Sequence, residues 1–237
     1  MSTICNLEEP LKPIFVPSSN AAESPKIASL IQNFNLQKHV EGGYFVETDR
    51  DDRRVPNPFL PQEALAHPVH VASQTAQGKQ LTRAASTTIF YLITPITPIG
   101  CFHRNRGRTV HTLHRGRGRY VIIHADEVMG SYDEDDAKVG NPGKKARVES
   151  FIVGQNVEKG ESLQWIVEGG KYKASYLLPD EEGGGKDSEG LLISETVVPG
   201  FEYEDHDFMK QSRLERLVTA GQAKELQWLM RKDAAEA

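Results

Sequence analysis

The sequence has few cysteines, no excess of basic residues and no long hydrophobic segment. Its two cysteines, Cys5 and Cys101, lie far apart in unlike contexts, so free thiols in a reducing compartment are expected rather than a disulfide. A net charge of −5 argues against the basic surface that general nucleic-acid binding needs. No segment resembles a secretory signal or a membrane span. These absences predict a soluble cytoplasmic protein that binds neither nucleic acid nor membrane.

The two ends of the chain differ from its middle. Residues 1–24 mix Pro, Ser, Asn and Glu without a period and predict a flexible leader. Ser24 and Pro25 predict the start of a helix, and leucines after Ser212 predict two more helices near the C-terminus. Residues 25–237 are predicted to form a single domain, in which the polar, aperiodic residues 50–82 are an inserted loop.

The middle of the chain consists of short β-branched and aromatic segments separated by turn signals. Seven or more such segments in regular succession predict an all-β sandwich or barrel with flanking helices. The paired glycines Gly42-Gly43 predict a turn that leads into a strand. Further predicted strands are residues 86–94, 109–113, 119–124, 146–153, 162–167, 171–178 and 191–198.

Residues 100–114 are the segment densest in titratable groups. They contain His103, His111 and His114 together with several arginines. Alternation along a strand predicts that His111 faces one side and His114 the other. Inward histidines could act as acids, bases or metal ligands, whereas the alternative is that they are packed core or surface residues.

Three stretches resemble a cupin subfamily described as domain of unknown function 985. They are residues 39–50, in which Val40 replaces a family proline; residues 86–92 with 102–104; and Pro199-Gly200-Phe201 before the acidic residues 202–207. The resemblance covers about residues 27–230. It implies a double-stranded β-helix (jelly-roll cupin barrel), related in fold to sugar-nucleotide epimerases, germins and seed-storage proteins, and a homodimer. The family's reaction is largely undefined.

The resemblance also implies a test for metal, because cupins commonly hold one with two His and a Glu from one motif and a His from a second. His103 fits the first ligand, but Asn105 stands at the second and Thr109 or Val110 at the Glu. Lys173 stands at the fourth, where its ammonium would repel a cation. A tight site needs the right ligands in the right number, so neither a metal nor another cofactor is predicted.

Acid–base chemistry or simple binding then remains for a small-molecule ligand in the barrel. We expect a metal-independent isomerase, epimerase or cyclase acting on a carbonyl-bearing metabolite; the alternatives are a non-catalytic binding protein and a metal-dependent cupin oxygenase or hydrolase with atypical ligands. Arg104 is expected to anchor an anionic substrate. The candidate catalytic residues are His103, Lys173, His111, Tyr44 and Glu195, and the candidate substrate-binding residues are Arg104, Glu41, Phe90, Phe102, Trp165 and Tyr172. Tyr44 and Glu41 could instead brace a turn, and Trp165 could be core.

Overall fold

The computed structural model describes residues 4, 10–18, 20–60, 75–76, 79–128, 144–180 and 187–232. Its α-helices are α1 (Pro25–Asn33), α2 (Gln211–Leu217) and α3 (Ala220–Leu226), with 3-10 turns at Ala125–Glu127, Val157–Lys159, Tyr203–Asp205 and Gln227–Leu229. Its strands are β1 (Gln37–Lys38), β2 (Tyr44–Arg50), β3 (Arg54–Pro56), β4 (Thr75–Ala76), β5 (Lys79–Gln80), β6 (Thr82–Ala84), β7 (Thr87–Ile93), β8 (Ile99–Arg104), β9 (Arg108–Arg115), β10 (Gly118–Ile123), β11 (Val148–Val153), β12 (Gln164–Val167), β13 (Tyr172–Leu177), β14 (Leu191–Val198) and β15 (Asp207–Phe208).

Two antiparallel sheets form the body of the molecule. One has six strands in the order β1-β2-β7-β14-β9-β12, and the other has five in the order β11-β10-β13-β8-β15. Apolar side chains from both sheets, such as Tyr91 and Ile193 from the first and Tyr120 and Leu177 from the second, pack into one cluster between them. This confirms the predicted all-β jelly-roll barrel with flanking helices.

Helices cover the outer faces of the barrel. The Ser24 hydroxyl caps α1 with Pro25 in its first turn, as predicted, and Ile27 packs on Leu92 and Leu192 of the six-stranded sheet. Helices α2 and α3 bury their leucines against the five-stranded sheet. Among the described residues, no helix combines the length and apolar character needed to span a bilayer.

Two segments predicted to be irregular are more ordered than expected where they are described. In the leader, Ile4 and Leu11 are buried beneath the C-terminal helices, and the Leu11 amide donates to Glu225 Oε1 at 2.9 Å. In the inserted loop, β3 pairs with β6 in a two-stranded sheet. Cys5 and most of residues 61–78 lie outside the described residues.

Strand β8 was not predicted, because Pro98 and Gly100 were interpreted as residues that interrupt a strand. Its pairing with β13 is irregular: Gly100 lies opposite Ser175 and His103 opposite Lys173, so three steps along β8 match two along β13. This β-bulge turns both Gly100 and His103 toward the interior. A Cβ at Gly100 would lie 2.7 Å from Tyr91 Oη, which explains the glycine inside a strand.

Candidate functional site

A lysine, a glutamate and a histidine meet in the barrel interior. Glu195 on β14 lies directly opposite His111 on β9, and Lys173 reaches both from the facing sheet. The Lys173 ammonium donates to Glu195 Oε2 at 2.6 Å and to His111 Nε2 at 2.9 Å. All three side chains are buried. We call these residues the lysine cluster.

The charges within the lysine cluster are balanced. Burial would raise the pKa of Glu195, but Lys173 and His111 outweigh it and hold that pKa well below its ordinary value. Burial and the neighbouring Lys173 lower the pKa of His111. At neutral pH the cluster therefore contains a carboxylate, which an ammonium stabilises, and an uncharged imidazole.

Trp165 belongs to the packing of this cluster. Its indole stacks on the His111 ring with centroids 5.1 Å apart and 9° between the planes, while Tyr120 contacts both rings edge-on. Trp165 is buried in the apolar cluster between the sheets. It thus positions His111, in line with the core alternative.

A second group, the histidine cluster, surrounds Glu41. His206 Nε2 donates to Glu41 Oε1 at 2.8 Å, while His103 Nδ1 and His39 Nδ1 lie 3.3 and 3.6 Å from Oε2. The His103 and His206 rings are stacked, 5.2 Å apart. His103 Nδ1 also lies 2.9 Å from the Cys101 carbonyl, so in the neutral ring Nδ1 donates and Nε2 keeps its lone pair.

Paired glycines place Glu41 beside His103. Gly42 and Gly43 have φ values of 101° and 70°, and a Cβ at Gly42 would lie 2.1 Å from the Ile99 carbonyl oxygen. The turn therefore packs tightly on β8, where the Cys101 amide donates to the Glu41 carbonyl at 2.8 Å. The prediction of a turn at these glycines is confirmed.

The pKa values of Glu41 and His103 in the histidine cluster are both lowered. Burial would raise the pKa of Glu41, but the surrounding His103, His206 and His39 lower it to about 2. Burial lowers the pKa of His103 to about 4, although Glu41 acts in the opposite direction. At neutral pH Glu41 is therefore a carboxylate beside an uncharged His103.

Sequence reasoning missed His206. It precedes β15, which pairs with β8 so that Phe208 lies opposite His103. Buried Arg83 on β6 fixes the preceding turn through its ion pair with Asp205. Residues 202–207 were interpreted only as an acidic segment, and His206 within it was not considered. The pairing of β15 with β8 leaves no pattern in the sequence that could have indicated its position.

A small cavity of about 70 Å³ opens between the two clusters. Asn105 Oδ1 is buried there without a hydrogen-bond partner among the described residues. A wider groove of about 350 Å³ lies on the other side of His39 and Glu41, next to Trp228 and Arg231. The smaller cavity is lined by His39, Glu41, Phe45, Glu47, Arg50, Thr87, Ile89, Asn105, Glu195, Val197, Phe201 and Tyr203.

Tyr44 and Phe90 lie on the outer face of the six-stranded sheet. Both pack in the cluster beneath α1, and the Tyr44 hydroxyl donates to Glu23 Oε1 at 3.0 Å. Phe90 contacts Phe34 and His114. The expectation that Tyr44 and Phe90 face the ligand cavity is wrong, because strand alternation turns them outward.

Phe102, Tyr172 and Arg104 lie on the outer face of the five-stranded sheet. Phe102 and Tyr172 are buried beneath the C-terminal helices. Arg104 stacks over the Tyr172 ring and donates to Asp207 Oδ2 at 2.8 Å. The expectation that these three contact a ligand in the barrel is wrong, since their strands direct them away from it; Arg104 is instead part of an internal ion pair.

The residues at the cupin metal positions do not fit a metal. Asn105 and Thr109 replace two ligands, and Lys173 is committed to Glu195 and His111. Any cation near His103 would need other ligands.

Comparison with known proteins places the chain in a family. Residues 28–209 match the model described as Cupin superfamily (DUF985). This chain is a member of the cupin superfamily. It is 40% identical over 222 residues, 93% of each chain, to the uncharacterized protein YML079W of Saccharomyces cerevisiae.

Solved structures support the fold of this cupin. A hypothetical protein from Leishmania major superposes with a TM-score of 0.61 at 26% identity, covering 86% of this chain and 98% of that one. Protein SO0799 from Shewanella oneidensis gives 0.59 at 18% identity, covering 86% and 97%.

Proposed function

We propose that this cupin binds a small metabolite rich in hydrogen-bond donors in the barrel mouth and moves a proton on it, as isomerases and epimerases do. The observation that carries the proposal is the buried Glu195 carboxylate. It lines a cavity beside Asn105 Oδ1, for which the described part of the chain offers no hydrogen-bond partner. A buried acceptor without a partner costs about 1–3 kcal/mol, a cost that a ligand donor would remove.

The polar groups around the cavity are mainly acceptors. The carboxylates of Glu41, Glu47 and Glu195 line it, and Arg50 at the rim is already paired with Glu47. An anionic ligand would be repelled, whereas hydroxyl groups would be bound. At about 70 Å³ the cavity is well below the roughly 300–1,000 Å³ of pockets that enclose a whole small molecule, so only the reactive end of a ligand would enter it. These properties favour an aldose or a ketose.

The lysine cluster supplies the base that such a reaction needs. Epimerisation of a sugar removes a proton from the carbon next to the carbonyl and returns one to the opposite face of that carbon. Isomerisation returns it to the carbonyl carbon, while a proton moves from the hydroxyl oxygen to the carbonyl oxygen. Glu195 lines the cavity and is positioned to accept that proton, and its ion pair with Lys173 keeps it in the carboxylate form. The step uses side chains alone.

A second candidate is a sugar-binding protein without catalysis. The observation in its favour is the pKa of Glu195, which lies well below its ordinary value. Such a carboxylate is a weak base but still a good hydrogen-bond acceptor.

Solvent exchange distinguishes the two candidates. The protein is incubated in D₂O with single aldoses and ketoses, and the proton signal next to the carbonyl is followed by NMR. The proposal predicts exchange with at least one sugar, a loss of about 100-fold or more in E195Q, and no change in H114Q, which alters an outward-facing histidine. Thermal stabilisation by a sugar without exchange supports the binding protein. If no sugar shows proton exchange and none stabilises the protein, both candidate functions are contradicted.

A further inference from the structure

The histidine cluster has the composition of a metal site. Glu41, His103 and His206 each offer one ligand atom, and these atoms lie within 4.8 Å of one another. Donors around one transition-metal ion at about 2.1 Å are at most about 4.2 Å apart. Small side-chain movements would therefore suffice to bring all three onto one ion.

Separate parts of the fold hold the three groups in place. Glu41 lies in the tight turn before β2, His103 on the bulged strand β8, and His206 before the edge strand β15. Backbone contacts orient two of them: the Cys101 carbonyl contacts His103 Nδ1, and the Cys101 amide holds the Glu41 backbone. A ring nitrogen fixed by a carbonyl is a common outer support of histidine ligands.

The local charge also favours a cation. Near the cavity, Glu195 is compensated by Lys173, whereas Glu41 is surrounded by imidazoles. One carboxylate charge is thus left without a permanent cation within the cluster. A divalent ion would supply one.

We propose that Glu41, His103 and His206 bind one divalent transition-metal ion, with its open coordination positions available to a ligand in the barrel mouth. Two imidazoles and a carboxylate favour zinc, iron, manganese or cobalt over magnesium or calcium. This ligand set shares only His103 with the cupin motif, at whose other positions the chain has Asn105, Thr109 and Lys173. It goes beyond the proposed proton transfer, which uses Glu195.

Metal retention tests this inference directly. The full chain without a polyhistidine tag is treated with chelator, dialysed, mixed with one equivalent of Zn²⁺ and passed over a desalting column, and retained zinc is measured by mass spectrometry. We expect about one ion per chain in the wild type and in H114Q. We expect affinity to fall by more than about 100-fold in H206Q and E41Q, since loss of even an outer support costs 10–100-fold.

A second readout uses the wild type alone. Co²⁺ bound by two imidazoles and a carboxylate gives visible absorption bands that free Co²⁺ lacks at the same concentration. Circular dichroism of the metal-free variants checks that they remain folded. No retained zinc and no cobalt bands in the wild type, or undiminished retention in a folded H206Q, would overturn the inference. Failure of sugar exchange in a protein that retains zinc would count against the proton transfer only.

Discussion

Two buried carboxylates of the barrel interior, Glu195 and Glu41, are stabilised in different ways. Glu195 is paired with the Lys173 ammonium at 2.6 Å, whereas Glu41 accepts from His206 at 2.8 Å and lies beside His103. The first is a closed ion pair, and the second is a carboxylate among groups that can become metal ligands. The two proposals thus put a proton-transfer group and a cation site on two sides of one small cavity.

Removing the cation of the lysine cluster is expected to have the largest effect. K173M leaves Glu195 buried without its ion-pair partner, which typically costs 3–5 kcal/mol. The free energy of unfolding in urea measures this cost. The double variant K173M/E195M should recover most of it, because no unpaired charge then remains.

Two control variants test whether this effect is specific. K26M breaks a surface pair with Glu189 in which both side chains are more than half exposed, so a cost far below that of K173M is expected. H206Q removes one hydrogen bond to Glu41 and should cost about 1–3 kcal/mol in metal-free protein. A K173M cost no larger than that of H206Q would show that the two clusters are not stabilised differently.

The pH dependence of stability is the next largest effect. The pKa of His111 is lowered, so below its ordinary value of 6.5 the unfolded chain binds a proton that the folded chain does not. Stability is thus lost as pH falls below 6.5, by at most about 1.4 kcal/mol per pH unit for one proton. Glu195, whose pKa is also lowered, adds a further loss below its ordinary 4.5.

Unfolding in urea between pH 7 and 5 measures the contribution of His111. H111Q should show a smaller slope of stability against pH than the wild type, while His103 and His124, whose pKa values are also lowered, keep the slope above zero. H114Q should keep the full slope. Equal slopes in H111Q and the wild type would contradict an uncharged His111.

The smallest effect is expected on the outer face. Y44F removes the hydrogen bond to Glu23, which should cost about 1 kcal/mol of stability. Sugar exchange and zinc retention should not change, because Tyr44 lies beneath α1. Loss of sugar exchange or of zinc retention in a folded Y44F would show that Tyr44 does contribute to the site.

The sequence predicted the barrel better than the directions of its side chains. Alternating segments and turn glycines indicate strands such as β7 and β14, and a capping serine with a proline indicates α1. Strand alternation also relates His111 to His114, but it does not say which of the two faces inward. That depends on which sheet or helix covers each face, as Tyr44 and Phe90 beneath α1 demonstrate.

The parts of the site that could not be predicted depend on long-range pairing. The bulge in β8 sets the direction of His103, and the pairing of β8 with β13 places His103 opposite Lys173. His206 reaches Glu41 across 165 positions of the chain through β15. No local pattern in the sequence encodes either contact, whereas the Glu41 turn is encoded by its two glycines.

The decisive experiment is a crystal structure of the protein soaked with a sugar that exchanges its proton. We expect density in the small cavity, with sugar hydroxyl groups within hydrogen-bonding distance of Glu195 and Asn105 Oδ1. Density confined to the groove beside Trp228, with the cavity filled only by water, would contradict the proposed function.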